Sequence, residues 1–286
     1  MNILQKFESK IKDRITNIGI GLGNLEIQNR KILNANINFL KNHNSKIFFI
    51  SNKSSIDLIR NQNSYKKLKS HINLIECGNP EKNIFEFLDN NVIHALVRGS
   101  FSSSEFLNNL KMYFKVKEVN RIALLETIEG HQFFFGPVGI DECNDLKKKL
   151  TFIELALNEL ESLNITANIS ILSGGRASDL GRDNIVDKSI EEANKIIEFM
   201  KGKYPDLNIS HDEILVENAI SNKSNLIIAP DGISGNLIYR TLVHLGGGKA
   251  YGAIYMGLKK VIIDTSRVAK LSEIQGALLL ALALSN

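Results

Sequence analysis

Two strand-to-helix turns in the last third of the chain hold residue types suited to chemistry on an anionic or acyl group. Ala229-Pro230-Asp231-Gly232-Ile233-Ser234-Gly235-Asn236-Leu237-Ile238-Tyr239-Arg240 puts a turn, a glycine and a side-chain amide where an apolar run gives way to a helix. Further on, Ile263-Asp264-Thr265-Ser266-Arg267 sets a hydroxyl and a guanidinium just past another apolar strand, and Ser272-Glu273 follows as helix cap and first-turn acid. A hydroxyl and a guanidinium can together donate to a phosphate, carboxylate or oxyanion, while a nearby carboxylate can take up a proton. Ligands of open α/β sheets gather at the carboxyl ends of strands. Ser234, Gly235 and Asn236 are therefore expected to meet Ser266, Arg267 and Glu273 across one cleft.

Three other turns offer related chemistry. In Val97-Arg98-Gly99-Ser100-Phe101-Ser102-Ser103-Ser104 an arginine at a strand end precedes a hydroxyl-rich turn that opens a helix. Its amides, hydroxyls and positive helix end could receive an anion, with Arg98, Ser102 and Ser103 as ligands; equally, Ser102 or Ser103 could only cap the helix. In Leu172-Ser173-Gly174-Gly175-Arg176-Ala177-Ser178-Asp179-Leu180-Gly181-Arg182 the paired glycines allow close backbone approach and the arginines could clamp an anion. Gly174, Gly175 and Arg176 are candidate binding residues there, although a solvated loop has the same composition. Asn17-Ile18-Gly19-Ile20-Gly21-Leu22-Gly23 lacks the last glycine of a dinucleotide fingerprint, and no carboxylate ends the next strand to hold a ribose. A close strand-to-loop turn is the expectation for it.

The elements that must position these turns follow from pattern. Short β-branched runs alternate with helical stretches, which predicts the α/β class with mainly parallel sheets. Strands are expected at 15–22, 46–50, 72–77, 95–97, 121–126, 132–135, 168–172, 226–229, 250–255 and 261–264. Long helices are expected at 146–163, 183–202 and 211–220, after 234 and from 272. Gly136-Pro137 breaks the pattern and marks the crossover to a second domain.

Composition narrows the partners. A chain of 286 residues, 43% hydrophobic, suits two modest domains. Its formal net charge of +4 is spread among interleaved Lys, Arg, Asp and Glu. Neither half reads as a basic arm, so a small anionic ligand is the expected partner, with no nucleic acid. Cys77 and Cys143 are the only cysteines and have no His or Cys at ligand spacing. We therefore expect no disulfide, no metal and a reducing, cytoplasmic setting. The N-terminus lacks the apolar core of a signal peptide, and the most hydrophobic run, 277–284, is too short to insert through a membrane. That run reads as a buried terminal helix whose apolar surface would also suit a homodimer.

These motifs carry a resemblance. PDGISGNLIYR resembles the PDLxSGNIxYK element of the phosphate acetyl/butyryltransferases, and YGAIYMGLKKVIIDTSRVAKLSEI is similar to their GPILQGxxKPVxDLSRGxxxEDI, in the same order and spacing over about the last 65 residues. The turn 97–107 and the stretch 133–145 align more loosely with earlier blocks. FGPVGIDECND and SGGRASDLGRDN resemble the methanogen, archaeal branch of that superfamily, the methyltransferase-related MtxX or methanogenesis marker group.

The resemblance implies two α/β/α domains with an active cleft between them, as in isocitrate and isopropylmalate dehydrogenases. Because the family's last strand and helix return to the first domain, residues 1–137 plus 253–286 are expected to form one domain and 138–252 the other. It also implies an acyl and phosphate site at Ser266 and Arg267, with Glu273 where the transferases place a catalytic aspartate. The family's histidine-threonine-threonine turn falls on Ser102, Ser103 and Ser104, and the arginine after it falls near Asn109 or has no counterpart, in which case Arg98 could supply its charge. The implied activity is transferase chemistry, either methyltransferase-related or exchange of phosphate and coenzyme A on an acyl group; a regulatory or assembly role is the non-catalytic alternative. A coenzyme A-like or tetrahydromethanopterin-related ligand and methyltransferase subunits are the implied cofactor and partners.

Overall fold

The computed structural model describes residues 2–285, apart from the side chains of residues 8–10. Its contacts divide the chain into two compact units, Met1–Val119 with Ala250–Asn286, and Asn120–Lys249. Elements are numbered along the whole chain.

In the first unit, β1 (Asn17–Gly21), β2 (Lys46–Ser51), β3 (Ile72–Glu76), β4 (Ala95–Val97), β10 (Lys249–Met256) and β11 (Val261–Asp264) lie in the order β3-β2-β1-β4-β11-β10. All neighbours are parallel except β10 and β11. Successive residues of a strand face opposite sides, and β11 shows what each side holds. Ile262 joins the core built on α5 (Pro80–Asp89) and α6 (Ser103–Phe114), with Phe85, Leu88, Phe106 and Leu110. Ile263 packs toward Ala277 of α11 (Leu271–Leu284), the helix that also meets α1 (Ile3–Ile11) and α2 (Glu26–Leu40). Two short helices, α3 (Lys53–Arg60) and α4 (Asn63–Lys67), lie between β2 and β3. Ala277, Leu278, Leu280, Ala281 and Leu282 are buried inside this unit. The apolar surface of the terminal helix is thus used against its own unit, which removes the reason given above for a homodimer.

In the second unit, β5 (Asn120–Glu126), β6 (Gln132–Gly136), β7 (Asn168–Leu172), β8 (Asn208–Glu213) and β9 (Leu226–Ile228) follow the order β5-β6-β9-β7-β8. The hairpin β5/β6 is antiparallel and the other pairs are parallel. Helices α7 (Leu146–Ser162) and α8 (Asn184–Lys203) are joined by the buried Lys149–Glu192 ion pair, 2.5 Å. Helix α9 (Val216–Ser221) follows β8, and α10 (Gly232–Arg240) follows β9 and runs into a π-helical turn over Thr241–Leu245.

The sequence reading places the first boundary at residue 137, whereas the contacts place it at Val119. The difference is the β5/β6 hairpin, whose second strand pairs with β9. The α/β class is observed, with strands close to the expected positions. The expected helix 211–220 is a correction: residues 208–213 form β8, and only Val216–Ser221 is helical. As the last strand of its sheet, paired only with β7, β8 leaves polar side chains half-exposed, so its sequence imitates an amphipathic helix. Among the described residues no helix is long and apolar enough to cross a membrane, and both cysteines are free.

Candidate functional site

In the first unit the parallel strands end together, and the turns after β4 and β11 carry Arg98, Ser102, Ser103, Ser266 and Arg267. Arg98, just past β4, is 3% exposed. Its Nε pairs with Asp264 at the end of β11, its Nη2 donates to the Thr265 carbonyl, and its Nη1 donates to the Phe101 carbonyl at 2.7 Å. The Thr265 hydroxyl donates to the Gly99 carbonyl at 3.1 Å. Arg98 is therefore not placed to hold a ligand; it clamps the start of the Thr265-Ser266-Arg267 turn, since a buried guanidinium must keep its charge compensated.

That clamp aims the turn at α11. The Ser266 amide donates to the carboxylate of Glu273, which is 6% exposed, and the Ser266 hydroxyl accepts from the Val268 amide at 3.4 Å. Burial is the main cause raising Glu273 to about 7; Asp264 also raises it, while the Ser266 amide, Arg98 and Lys31 oppose the rise. A carboxylate titrating there is suited to exchange a proton at neutral pH. Arg267 is exposed, with the Glu81 carboxylate within its electrostatic reach.

The serine turn does less than its composition suggests. Ser102 is the N-cap residue of α6, but its side chain accepts no capping hydrogen bond and instead lies 3.3 Å from the Ser104 hydroxyl. Ser103 is exposed. The glycines after β1 are explained by packing. A Cβ on Gly21, Gly23 or Gly99 would run into the backbone of the facing loop, and the Gly23 amide donates to the Ser100 hydroxyl at 2.8 Å. Gly99 also has φ +66°, which disfavours a side chain. These glycines let the segments after β1 and β4 pack backbone to backbone, as a close turn predicts.

In the second unit, the turns after β6, β9 and β7 lie along one sheet edge. Asp231 caps α10 through the Ile233 and Ser234 amides, 2.9 and 2.8 Å. Ser234 donates back to the Asp231 carboxylate at 3.0 Å, Asn236 donates to the Val138 carbonyl at 2.8 Å, and Gly235 abuts the Pro137 carbonyl. These three residues seat the helix on the 136–139 segment and are engaged with their own backbone.

After β7, the Gly174 amide donates to the Ser189 hydroxyl at 2.8 Å, Gly175 is packed under Val186, and Arg176 is exposed. Sequence reading missed a trio beneath this turn. His211 Nε2 lies 2.8 Å from the Ser173 hydroxyl and Nδ1 3.1 Å from Asn194 Oδ1. The Ser173 hydroxyl donates to the Gly175 carbonyl at 2.8 Å and is buried, so the trio shapes the glycine turn. Burial lowers the His211 pKa, against Glu213 and Asp212. Glu81 was missed too, because a first-turn acid after Asn79-Pro80 carries no sign of proximity to Arg267.

Glu273 supplies a pH test. Folded Glu273 keeps its proton between its ordinary value of 4.5 and about 7, where the unfolded chain has lost it. The folded state then binds more protons, and stability falls as pH rises through that window. Glu273→Gln removes the titration and keeps an oxygen for the Ser266 amide. At pH 8 this variant should be more stable than the wild type by on the order of 2 to 3 kcal/mol, the two converging below pH 4.5. Urea midpoints at several pH values check this; a difference independent of pH would exclude the titration.

Comparison with known proteins places this geometry. The phosphate acetyl/butaryl transferase family model matches residues 85–282. The putative methyltransferase mtx subunit X of Methanosarcina mazei is 38% identical over 82% of this chain and 81% of its own. An uncharacterised methyltransferase of Methanocaldococcus jannaschii is 39% identical over 72% of this chain and 85% of its own. Among solved structures, a phosphotransacetylase from Streptococcus pyogenes superposes with a TM-score of 0.71 over 98% of this chain and 97% of its own, at 15% identity, a likeness of fold alone. From the DTSR turn to these matches, the chain belongs to the phosphate acetyl/butaryl transferase family, alongside the relatives named mtx subunit X.

Proposed function

We propose that this chain is a group transferase that binds an anionic, thiol-bearing cofactor of the coenzyme A or coenzyme M kind and turns over phosphate acyl exchange poorly. The observation that carries the reading is Glu273, buried, raised to about 7 and joined to Ser266 beside Arg267. Such a carboxylate can take the proton of a thiol, leaving a thiolate to attack an acyl or methyl carbon while the leaving group departs. Arg267 and the Ser266 hydroxyl would hold charge that develops on the transferred group. By analogy with relatives named as an mtx subunit, the methyl donor would be presented by methyltransferase subunits or a tetrahydromethanopterin-related cofactor.

The second reading, a working phosphate acetyl/butyryltransferase, is favoured by the family match. Arg98 cannot stand in for the missing family arginine, because its guanidinium is engaged with Asp264, Thr265 and Phe101. One charge-assisted contact fewer on transition-state charge costs about 2 to 4 kcal/mol, a loss of about 30- to 1000-fold in rate. The assay is release of thiol from acetyl- and butyryl-coenzyme A with phosphate, for the wild type and Arg267→Ala. Slow release together with a melting-point rise on coenzyme A or coenzyme M is expected. Rapid release abolished by Arg267→Ala would establish the second reading instead, and no response to any thiol cofactor would favour a non-catalytic role.

A further inference from the structure

Helix α2 carries two buried polar side chains near its start, Gln28 and Asn29, 4% and 1% exposed. A buried side-chain amide needs hydrogen-bond partners, and here the partners are loops. Asn29 donates to the Gly23 carbonyl at 2.7 Å and accepts from the Ser100 hydroxyl at 2.7 Å, which ties the turns after β1 and β4 together. Gln28 Nε2 donates to the Ala269 carbonyl at 3.1 Å, and Lys31 Nζ, one turn further along the same face, donates to that oxygen at 3.2 Å. The Ala269 amide in turn donates to the Ser266 carbonyl at 2.9 Å, and the Ser266 amide is the one that Glu273 holds. An unbroken line of hydrogen-bonded residues therefore runs from α2 through Ala269 and Ser266 to the Glu273 carboxylate.

We propose that Gln28 and Lys31 are positioning residues of the Ser266-Arg267 turn, acting through the Ala269 carbonyl to keep the turn in the form that presents the Ser266 amide to Glu273. The inference rests on the transferase reading above, which gives that turn its part in the chemistry. Arg98 fixes the start of the turn at Thr265, and the two donors from α2 fix its end. Between these holds Arg267 and Val268 are exposed, so packing alone does not set their place. A charged donor makes the stronger hydrogen bond, so Lys31 reinforces the contact that the neutral Gln28 amide makes. A turn held in this way before substrate arrives does not have to reorganise as charge develops on the transferred group.

The test compares the wild type with Gln28→Met, Lys31→Met, Lys31→Arg and the variant carrying both methionines, since methionine is a similarly long, unbranched side chain without a donor. In amide hydrogen exchange, Ser266 and Ala269 should exchange at least about tenfold faster in the double variant and by a smaller factor in each single methionine variant. Lys31→Arg keeps a charged donor and should follow the wild type, and the amides of β1 and β2 should keep their rates in all four. Gln28→Met leaves in place the charges that face Glu273, those of Asp264, Arg98 and Lys31. Its Glu273 carboxyl titration, followed by carbon NMR, should therefore move upward as the Ser266 amide bond weakens. Melting points report whether the variants fold, and the single variants carry the test if the double variant does not. Unchanged exchange at Ser266 and Ala269 in the folded methionine variants, exchange faster by the same factor throughout the first unit, or an unmoved Glu273 titration would overturn the proposal. Failure of the transferase reading would appear separately, as absent binding of coenzyme A and coenzyme M to the wild type.

Discussion

Replacing Arg98 by alanine should destabilise the first unit by about 3 to 5 kcal/mol, because it leaves the Asp264 carboxylate in a buried site without its charge partner. The Thr265 and Phe101 carbonyls lose their donors in the same step. Arg98→Lys keeps the charge but not the planar fork that reaches three acceptors, so it should fall between the two. Removing both charges, as Arg98→Met with Asp264→Leu, should recover most of the loss, since a buried pair can often be exchanged for apolar packing at little cost. Urea unfolding of the wild type, Arg98→Met, Asp264→Leu and their combination forms the double-mutant cycle. If Arg98→Ala alone unfolds at the wild-type midpoint, the bracket has no energetic role. Loss of thiol-cofactor binding in the stable double variant would show that the bracket also positions the Ser266-Arg267 turn.

Gly235→Ala should destabilise the second unit by about 3 kcal/mol or more, against the usual preference of helices for alanine. The added Cβ would land on the Pro137 carbonyl and press on Ala229, and neither backbone nor a short side chain can swing away. Gly202, near the end of α8, is the control, because its Cβ would meet nothing within 4 Å. Gly202→Ala should therefore stabilise by about 0.5 to 1 kcal/mol. Thermal unfolding of both variants gives the comparison, and equal effects at the two sites would contradict the close contact between α10 and the 137–139 segment.

Most of the fold is legible in the chain as written. Runs such as Ile72–Glu76 and Val261–Asp264 are short, β-branched and bounded by breakers, and local patterns of that kind depend little on distant residues. The exception, β8, lies at a sheet edge where only Ile209 and Asp212 are buried, and there the alternation that marks a strand fades. The DTSR and SGN turns are legible too, as residue types at strand ends.

What those residues do was decided by tertiary structure. Nothing local distinguishes an arginine that meets a ligand from one that clamps its own chain. Arg98 became the second kind because parallel pairing of β4 with β11 set Asp264 and Thr265 beside it. Asn236 and Ser234 are engaged with the 137–139 segment and the Asp231 cap for the same reason. Glu273 acquired its near-neutral titration chiefly from burial. Residue type and strand-end position are local properties of the chain, whereas desolvation and charge proximity are set by residues far apart in it, so the sequence marks the site and only the fold assigns the roles within it.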